Sequence, residues 1–187
     1  MELFIPPSMT LTLTQKKSKN CSRKIQRQTM FGNILYRIQP AVSESKLYDE
    51  NKFYEAFVRD LKKCHSELII ESAYMTTRRV HYLLPYLEKL KKNHVRVVIN
   101  TRDPEEHDNF LREEARRALS LLLEIGVQVI FSESLHRKTA IIDRKILWEG
   151  SLNILSQNNS CEVMRRTESI ELGWQMVRFS GLDHKIG

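Results

Sequence analysis

Residues 136–166 read HRKTAIIDRKILWEGSLNILSQNNSCEVMRR, and the reading of this stretch decides the fold. The apolar runs on either side of Asp143-Arg144-Lys145 predict two antiparallel strands joined by a tight turn. His136 and Lys138 stand at i and i+2, so on a strand both side chains leave the same face. Gly150-Ser151-Leu152-Asn153 follows the second run, where glycine allows a tight turn and serine and asparagine bring hydrogen-bonding groups. An imidazole, an ammonium, a hydroxyl and an amide are each suited to a phosphate. Asp143 has the opposite strand parity to His136 and falls at the turn, so the spacing points to bracing the turn or accepting a hydrogen bond rather than touching substrate.

Upstream of this stretch, apolar periodicity alternates between helix and strand. In ENKFYEAFVRDLKKCH, Phe53, Ala56, Phe57 and Leu61 share one helical face. SELIIESAY reads as a buried strand. RRVHYLLPYLEKLKKN reads as a helix in which Pro85 marks a kink or lies near the first turn. HVRVVINT is a second strand. PEEHDNFLREEARRALSLLLEIG reads as one long helix with acids in its first turn and Gly126 as its stop. VQVIFS is a third strand. Beyond the hairpin, CEVMRRTES reads as a further strand, and a short helix is expected from about Ile170. The fold class is therefore α/β: early parallel strands joined by helical crossovers, and a late hairpin that makes the sheet mixed.

The 187 residues suffice for one globular domain plus an appendage. Seven of the 30 Lys/Arg and only two of the 23 acids fall in residues 1–45, so most of the +7 net charge lies there. Residues 1–45 are read as a basic N-terminal arm and 46–187 as the folded domain. The arm is either a tether for a phosphate backbone or a solvated tail left from a connection to another domain. A basic balance favours polyanionic partners, nucleic acid before anionic membrane. No apolar run is long enough to span a bilayer, and the N-terminus does not read as a signal peptide, so a cytoplasmic location is expected. Cys21, Cys64 and Cys161 form no paired motif, and the six histidines give no zinc spacing. No metal and no cofactor are expected.

Taken singly, each residue of the opening stretch has an ordinary explanation: a surface histidine, a solvated lysine, a loop. Together, a neutral imidazole at His136 is a competent nucleophile at phosphorus, and Lys138 can stabilise charge on the non-bridging oxygens. Ser151 and Asn153 can cradle those oxygens. Glu162 is placed to orient the imidazole through its other ring nitrogen.

The positions His136, Lys138, Asp143, Gly150, Ser151 and Asn153 match H-x-K-x4-D-x6-G-S-x-N, and the sequence thereby resembles the phospholipase D superfamily. The similarity covers about residues 49–168. It is greatest to prokaryotic phospholipase D-like nuclease domains, including those at the C-termini of some DNA helicases. The resemblance implies a mixed sheet sandwiched by helices. It also implies catalytic roles for His136, Lys138, Asp143, Ser151, Asn153 and Glu162, with Lys138, Ser151 and Asn153 binding substrate and Glu168 competing with Glu162 as the trailing acid.

Members of this family use two motif copies in one site. One histidine forms a covalent phosphohistidine, and the other protonates the leaving oxygen and then activates water. This chain carries a single copy, so a homodimer with His136 of each chain across the axis is expected. The alternatives are pairing with a different chain or an inactive relic. The expected activity is a metal-independent phosphodiesterase, an endonuclease acting on DNA or RNA, with a helicase or another defence or repair protein as a possible partner. Two other readings stand beside it: a phospholipase D or phosphatidyltransferase acting on phospholipids, and a non-catalytic nucleic-acid-binding module.

Overall fold

The computed structural model describes residues 44–156 and 160–186. The basic arm, up to residue 43, lies outside the described residues. The described strands are β1 (Glu44–Asp49), β2 (Glu67–Ser72), β3 (Arg96–Thr101), β4 (Gln128–Phe131), β5 (Lys138–Ile142), β6 (Ile146–Gly150) and β7 (Val163–Glu168). They form one mixed sheet in the order β1-β7-β6-β5-β2-β3-β4. β2, β3 and β4 are parallel, and every other neighbouring pair is antiparallel. The parallel strands are linked through α2 (Thr77–Lys92) and α3 (Asn109–Glu124), while α1 (Glu50–Leu61) joins β1 to β2. After β7 come α4 (Ile170–Phe179) and α5 (Asp183–Ile186).

Helix starts are set by side chains that satisfy otherwise unpaired N–H groups. Asp49 accepts from the Lys52 N–H at 2.8 Å, Asp108 from Leu111 at 3.0 Å and Ser169 from Leu172 at 3.2 Å. Pro85 lies inside α2, well beyond its first turn.

The structure corrects two expectations. The single helix expected over 104–126 is divided into a 3-10 turn, Pro104–Glu106, and α3. Asp103 accepts from the Glu105 N–H at 2.9 Å, Asp108 caps the second piece, and His107 between them is extended. Two capping aspartates close together compete with a continuous helix. The expected boundary at 45/46 falls inside β1, a strand that pairs with β7 from Glu44↔Glu168 to Asp49↔Val163. β1 is an exposed edge whose apolar content is only Leu47 and Tyr48, so it carries no alternation to read.

Helices cover both faces of the sheet. On the first, α1, α2 and α3 pack over Leu68, Ile70, Val97, Ile99, Ala140 and Ile142. Trp148 is fully buried there, its ring centroid 5.2 Å from that of Phe53, and its indole N–H donates to Asp60 at 2.9 Å. Asp60 also accepts from Arg166 at 2.8 Å, which fastens β7 to α1. On the second face, Val177, Leu182 and Ile186 pack over Ile69, Val98, Ile141 and Leu147. Fully burying one such side chain contributes about 1.5–3 kcal/mol. α4 lies directly on the β5–β6 turn: a Cβ at Gly173 would come within 2.3 Å of the Arg144 carbonyl oxygen.

Candidate active site

β5 runs antiparallel to β2 with Ser72 opposite Lys138, so it begins where the parallel strands end. Crevices at the carboxyl ends of parallel strands are where open α/β sheets bind ligands. The strand starts at Lys138 and not at His136, which lies just outside it on an exposed segment. The two side chains nevertheless meet. Lys138 Nζ is 3.3 Å from His136 Nδ1 and donates to the His136 carbonyl at 2.6 Å. Burial lowers the Lys138 ammonium from its ordinary value, the Glu162 carboxylate opposes that, and Arg102 adds to it. A buried cation whose hydrogen-bond acceptors are neutral is suited to pairing with an anion.

Gly150 ends β6 where two backbones come close. A Cβ there would lie 2.0 Å from the Val163 carbonyl oxygen, so only glycine fits. That approach lets the Ser151 N–H donate to Val163 O at 3.0 Å and brings the Ser151 hydroxyl onto the Glu162 carboxylate. Ser160 donates to the other Glu162 oxygen at 2.8 Å. The Glu162 N–H donates to Glu50 at 3.0 Å, and this bond leads the causes that hold the Glu50 carboxyl below its ordinary value. Asn153 lines a pocket of about 240 Å³ together with Tyr74, Thr76, Leu111, Ser156 and Glu162. Its side-chain oxygen is buried without a hydrogen-bond partner.

Of the two candidate trailing acids, the fold brings Glu162 to Ser151 and to the field of Lys138. Glu168 is engaged by Lys145 at 2.8 Å and Arg166 at 3.4 Å, toward the far end of the hairpin. Among the described residues Glu162 makes no hydrogen bond to the His136 ring. Its carboxylate accepts from Ser151 and Ser160.

Asp143 is not in the cluster with His136, Lys138, Ser151, Asn153 and Glu162. It sits at the opposite end of β5 in a turn where it and Arg144 both have φ near 51°. Such turns favour Asn, Asp and Gly and match the twist of paired strands. Its carboxylate accepts from the Ser66 N–H at 2.8 Å, the Ser66 hydroxyl at 2.7 Å, the Glu67 N–H at 3.0 Å and the His65 N–H at 3.2 Å. These bonds clamp the loop entering β2 to the hairpin, the bracing contact that the position of Asp143 at the turn led one to expect. Burial pushes its pKa up, but the bonds from Glu67, Ser66 and His65 outweigh burial and hold it below the ordinary value. A depressed carboxylate stabilises the fold above its unfolded pKa of about 3.9, and that stabilisation is lost as pH falls through the lower folded value. Asp143→Asn is expected to cost about 2 kcal/mol at pH 7. Urea midpoints should show the gap from wild type narrowing below about pH 4. A gap that is the same at both ends of the range would contradict this assignment.

Two groups in the site region were not anticipated from sequence. Glu71, fully buried at the end of β2, accepts from Arg137 at 2.7 and 2.9 Å, Asn100 at 3.0 Å and Thr139 at 3.0 Å. Arg137 is the residue between His136 and Lys138, so this network anchors the segment that carries them. A charge inside the apolar run LIIES, level with Asn100 in VVINT, is the signal that would have pointed to it. The second group is Arg102, at the exit of β3, whose Nε donates to the Leu135 carbonyl at 2.8 Å.

The family described as "cardiolipin synthase, PLD-like domain" matches residues 57–172, and the chain belongs to this family of phospholipase D-like domains. Its fold is shared with Nuc of Salmonella typhimurium, a phospholipase D family member, at a TM-score of 0.61 and 12% identity over 73% of this chain and 91% of that one. It is shared also with NucT from Helicobacter pylori at a TM-score of 0.59 and 18% identity, over 73% and 92% of the two chains. Phosphatidylserine synthase of Haemophilus influenzae matches at a TM-score of 0.57 and 15% identity, over 79% of this chain and 39% of that one. No curated protein sequence matches significantly. Among the described residues no helix is long and apolar enough to cross a membrane.

Proposed function

We propose that this chain is a metal-independent phosphodiesterase that hydrolyses nucleic acid through a covalent phosphohistidine. The observation that carries the reading is the His136–Lys138 pair, 3.3 Å apart at the open end of the sheet, with Ser151, Asn153 and Glu162 gathered beside it. An unprotonated ring nitrogen of His136 attacks phosphorus, the P–O bond to the leaving oxygen breaks, and a second acid protonates that oxygen. The conjugate base of that acid then takes a proton from water, whose oxygen attacks phosphorus and breaks the P–N bond. Lys138 leaves the His136 carbonyl for a non-bridging oxygen, where charge is greatest in the transition state. The acid needs an ionisation state opposite to that of the nucleophile. This chain has one motif, so His136 of a second copy fills that role in a two-fold dimer.

The net charge of +7 and the similarity to Nuc and NucT favour nucleic acid as substrate. A phosphatidyltransferase is the second reading. It is favoured by a pocket of about 490 Å³ on the other sheet face, where Leu47, Val163, Met176 and Phe179 adjoin Arg137 and Lys138. The deciding experiment incubates the protein in EDTA with single- and double-stranded DNA, RNA, and phosphatidylcholine vesicles. Cleavage of nucleic acid in EDTA is expected. A requirement for Mg²⁺, or turnover of the lipid alone, would refute the proposal.

A further inference from the structure

The geometry points to Arg102 as a second anion subsite, holding the phosphate next along the strand from the diester attacked at His136. This rests on the nuclease reading and narrows it: the site is built for a polyanion, not for a molecule with one phosphodiester. Arg102 follows directly on Thr101 at the end of β3, which β2 separates from β5 in the sheet. Its Nε is fixed on the Leu135 carbonyl at 2.8 Å, and that carbonyl belongs to the residue immediately before His136. The guanidinium carbon lies 5.6 Å from the centre of the Tyr74 ring. Tyr74 is itself backed by the buried His107 ring, with centroids 5.0 Å apart and planes 32° from parallel. Tyr74 also walls the pocket that contains Asn153 and Glu162.

The carbonyl and the ring are the described contacts of this guanidinium, and neither neutralises it. Asp103 and Glu105 are close in sequence, yet Asp103 caps the 3-10 turn and Glu105 pairs with Arg116 and Arg112. Arg137, Arg144 and Arg166 each have a carboxylate. A half-buried arginine held in position, with its terminal N–H groups left over, presents the fork that suits a phosphate. Burial is the first cause that lowers both Lys138 and His107 from their ordinary values, and the positive field of Arg102 adds to it in each. A strand that sets one phosphate on Lys138 and the next on Arg102 would relieve that repulsion.

Arg102→Gln, which keeps an amide donor for the Leu135 carbonyl, and Arg102→Lys, which keeps the charge, separate the subsite from a structural role. Each is assayed on a single-stranded oligonucleotide and on bis(p-nitrophenyl) phosphate, which has one phosphate, with the thermal midpoint recorded for both variants. On the oligonucleotide Arg102→Gln is expected to lower kcat/KM about tenfold, mostly through KM, and to flatten the log–log salt dependence by about 0.7. On the minimal diester the loss should be at most about threefold, and Arg102→Lys should keep the wild-type salt slope. Equal losses on both substrates would place Arg102 at the reacting phosphate and overturn the proposal, as would an unchanged slope in Arg102→Gln. A wild type that cleaves the minimal diester but no oligonucleotide would instead overturn the nuclease reading, and the subsite with it.

Discussion

His136→Ala is expected to lower phosphodiester hydrolysis by roughly 10⁴-fold or more, because on the proposed mechanism it removes the atom that bonds to phosphorus. The loss should fall on kcat. Lys138, Ser151 and Asn153 remain to bind the phosphate, so KM should move little. The fold should be untouched, because His136 is exposed and, among the described residues, its side chain hydrogen-bonds only to Lys138. Thermal midpoints of the variant and wild type should therefore coincide. The same protein tests the shared site. If two copies complete one centre, a tenfold excess of His136→Ala subunits, allowed to exchange with wild type, should cut the activity per wild-type subunit to roughly a tenth. Activity that survives the substitution within a factor of about ten would remove His136 as nucleophile. Insensitivity to excess variant would remove the two-copy site while leaving the chemistry intact.

What could be read from the sequence was local, and what could not was made by distant residues meeting. The hairpin around Asp143, the buried β2 and the amphipathic α1 each carry their own periodicity, and each appears within a few residues of its expected place. The place of Asp143 at the turn was also enough to set it apart from His136, whereas strand parity was beside the point because both lie outside β5; the loop it clamps, His65–Glu67, was not visible because it lies 76 to 78 residues away. The proximity of His136 and Lys138 was anticipated for a partly mistaken reason: the strand begins at Lys138, and a lysine bent back onto the His136 carbonyl brings the pair together. β1 escaped notice because an exposed edge strand needs no apolar alternation, only a neighbour with free hydrogen-bonding groups. The break at His107 depends on two competing caps, a choice that tertiary packing decides. Arg102 looked like any other surface arginine until Leu135 and Tyr74 were seen against it.

Arg137→Ala should be the most destabilising single change near the site, costing about 3–5 kcal/mol, even though the residue removed is the more exposed member of its pair. The Glu71 side chain is 0% exposed and that of Arg137 37%. Removing the arginine strands a fully buried carboxylate with, among the described residues, the Asn100 amide and the Thr139 hydroxyl as its remaining donors. Removing the carboxylate by Glu71→Ala is milder, because the guanidinium can turn toward solvent. That variant is expected to cost about 3 kcal/mol. The double variant should be more stable than the sum of the two losses by about 1–3 kcal/mol, since the stranded charge is gone. The guanidinium bond to Glu71 holds the Arg137 pKa above its ordinary value, in keeping with a pair whose two charges are coupled. Urea unfolding of the four proteins measures the cycle, and additivity within about 0.5 kcal/mol would show the pair to be uncoupled. The consequence reaches the proposed chemistry because Arg137 lies between His136 and Lys138. With the Glu71 anchor lost, Lys138 is still opposite Ser72 in the sheet, whereas His136, one residue beyond the anchor, is free to drift. Residual activity in Glu71→Ala should therefore fall in kcat at temperatures where the protein is fully folded, a loss that destabilisation by itself would not produce.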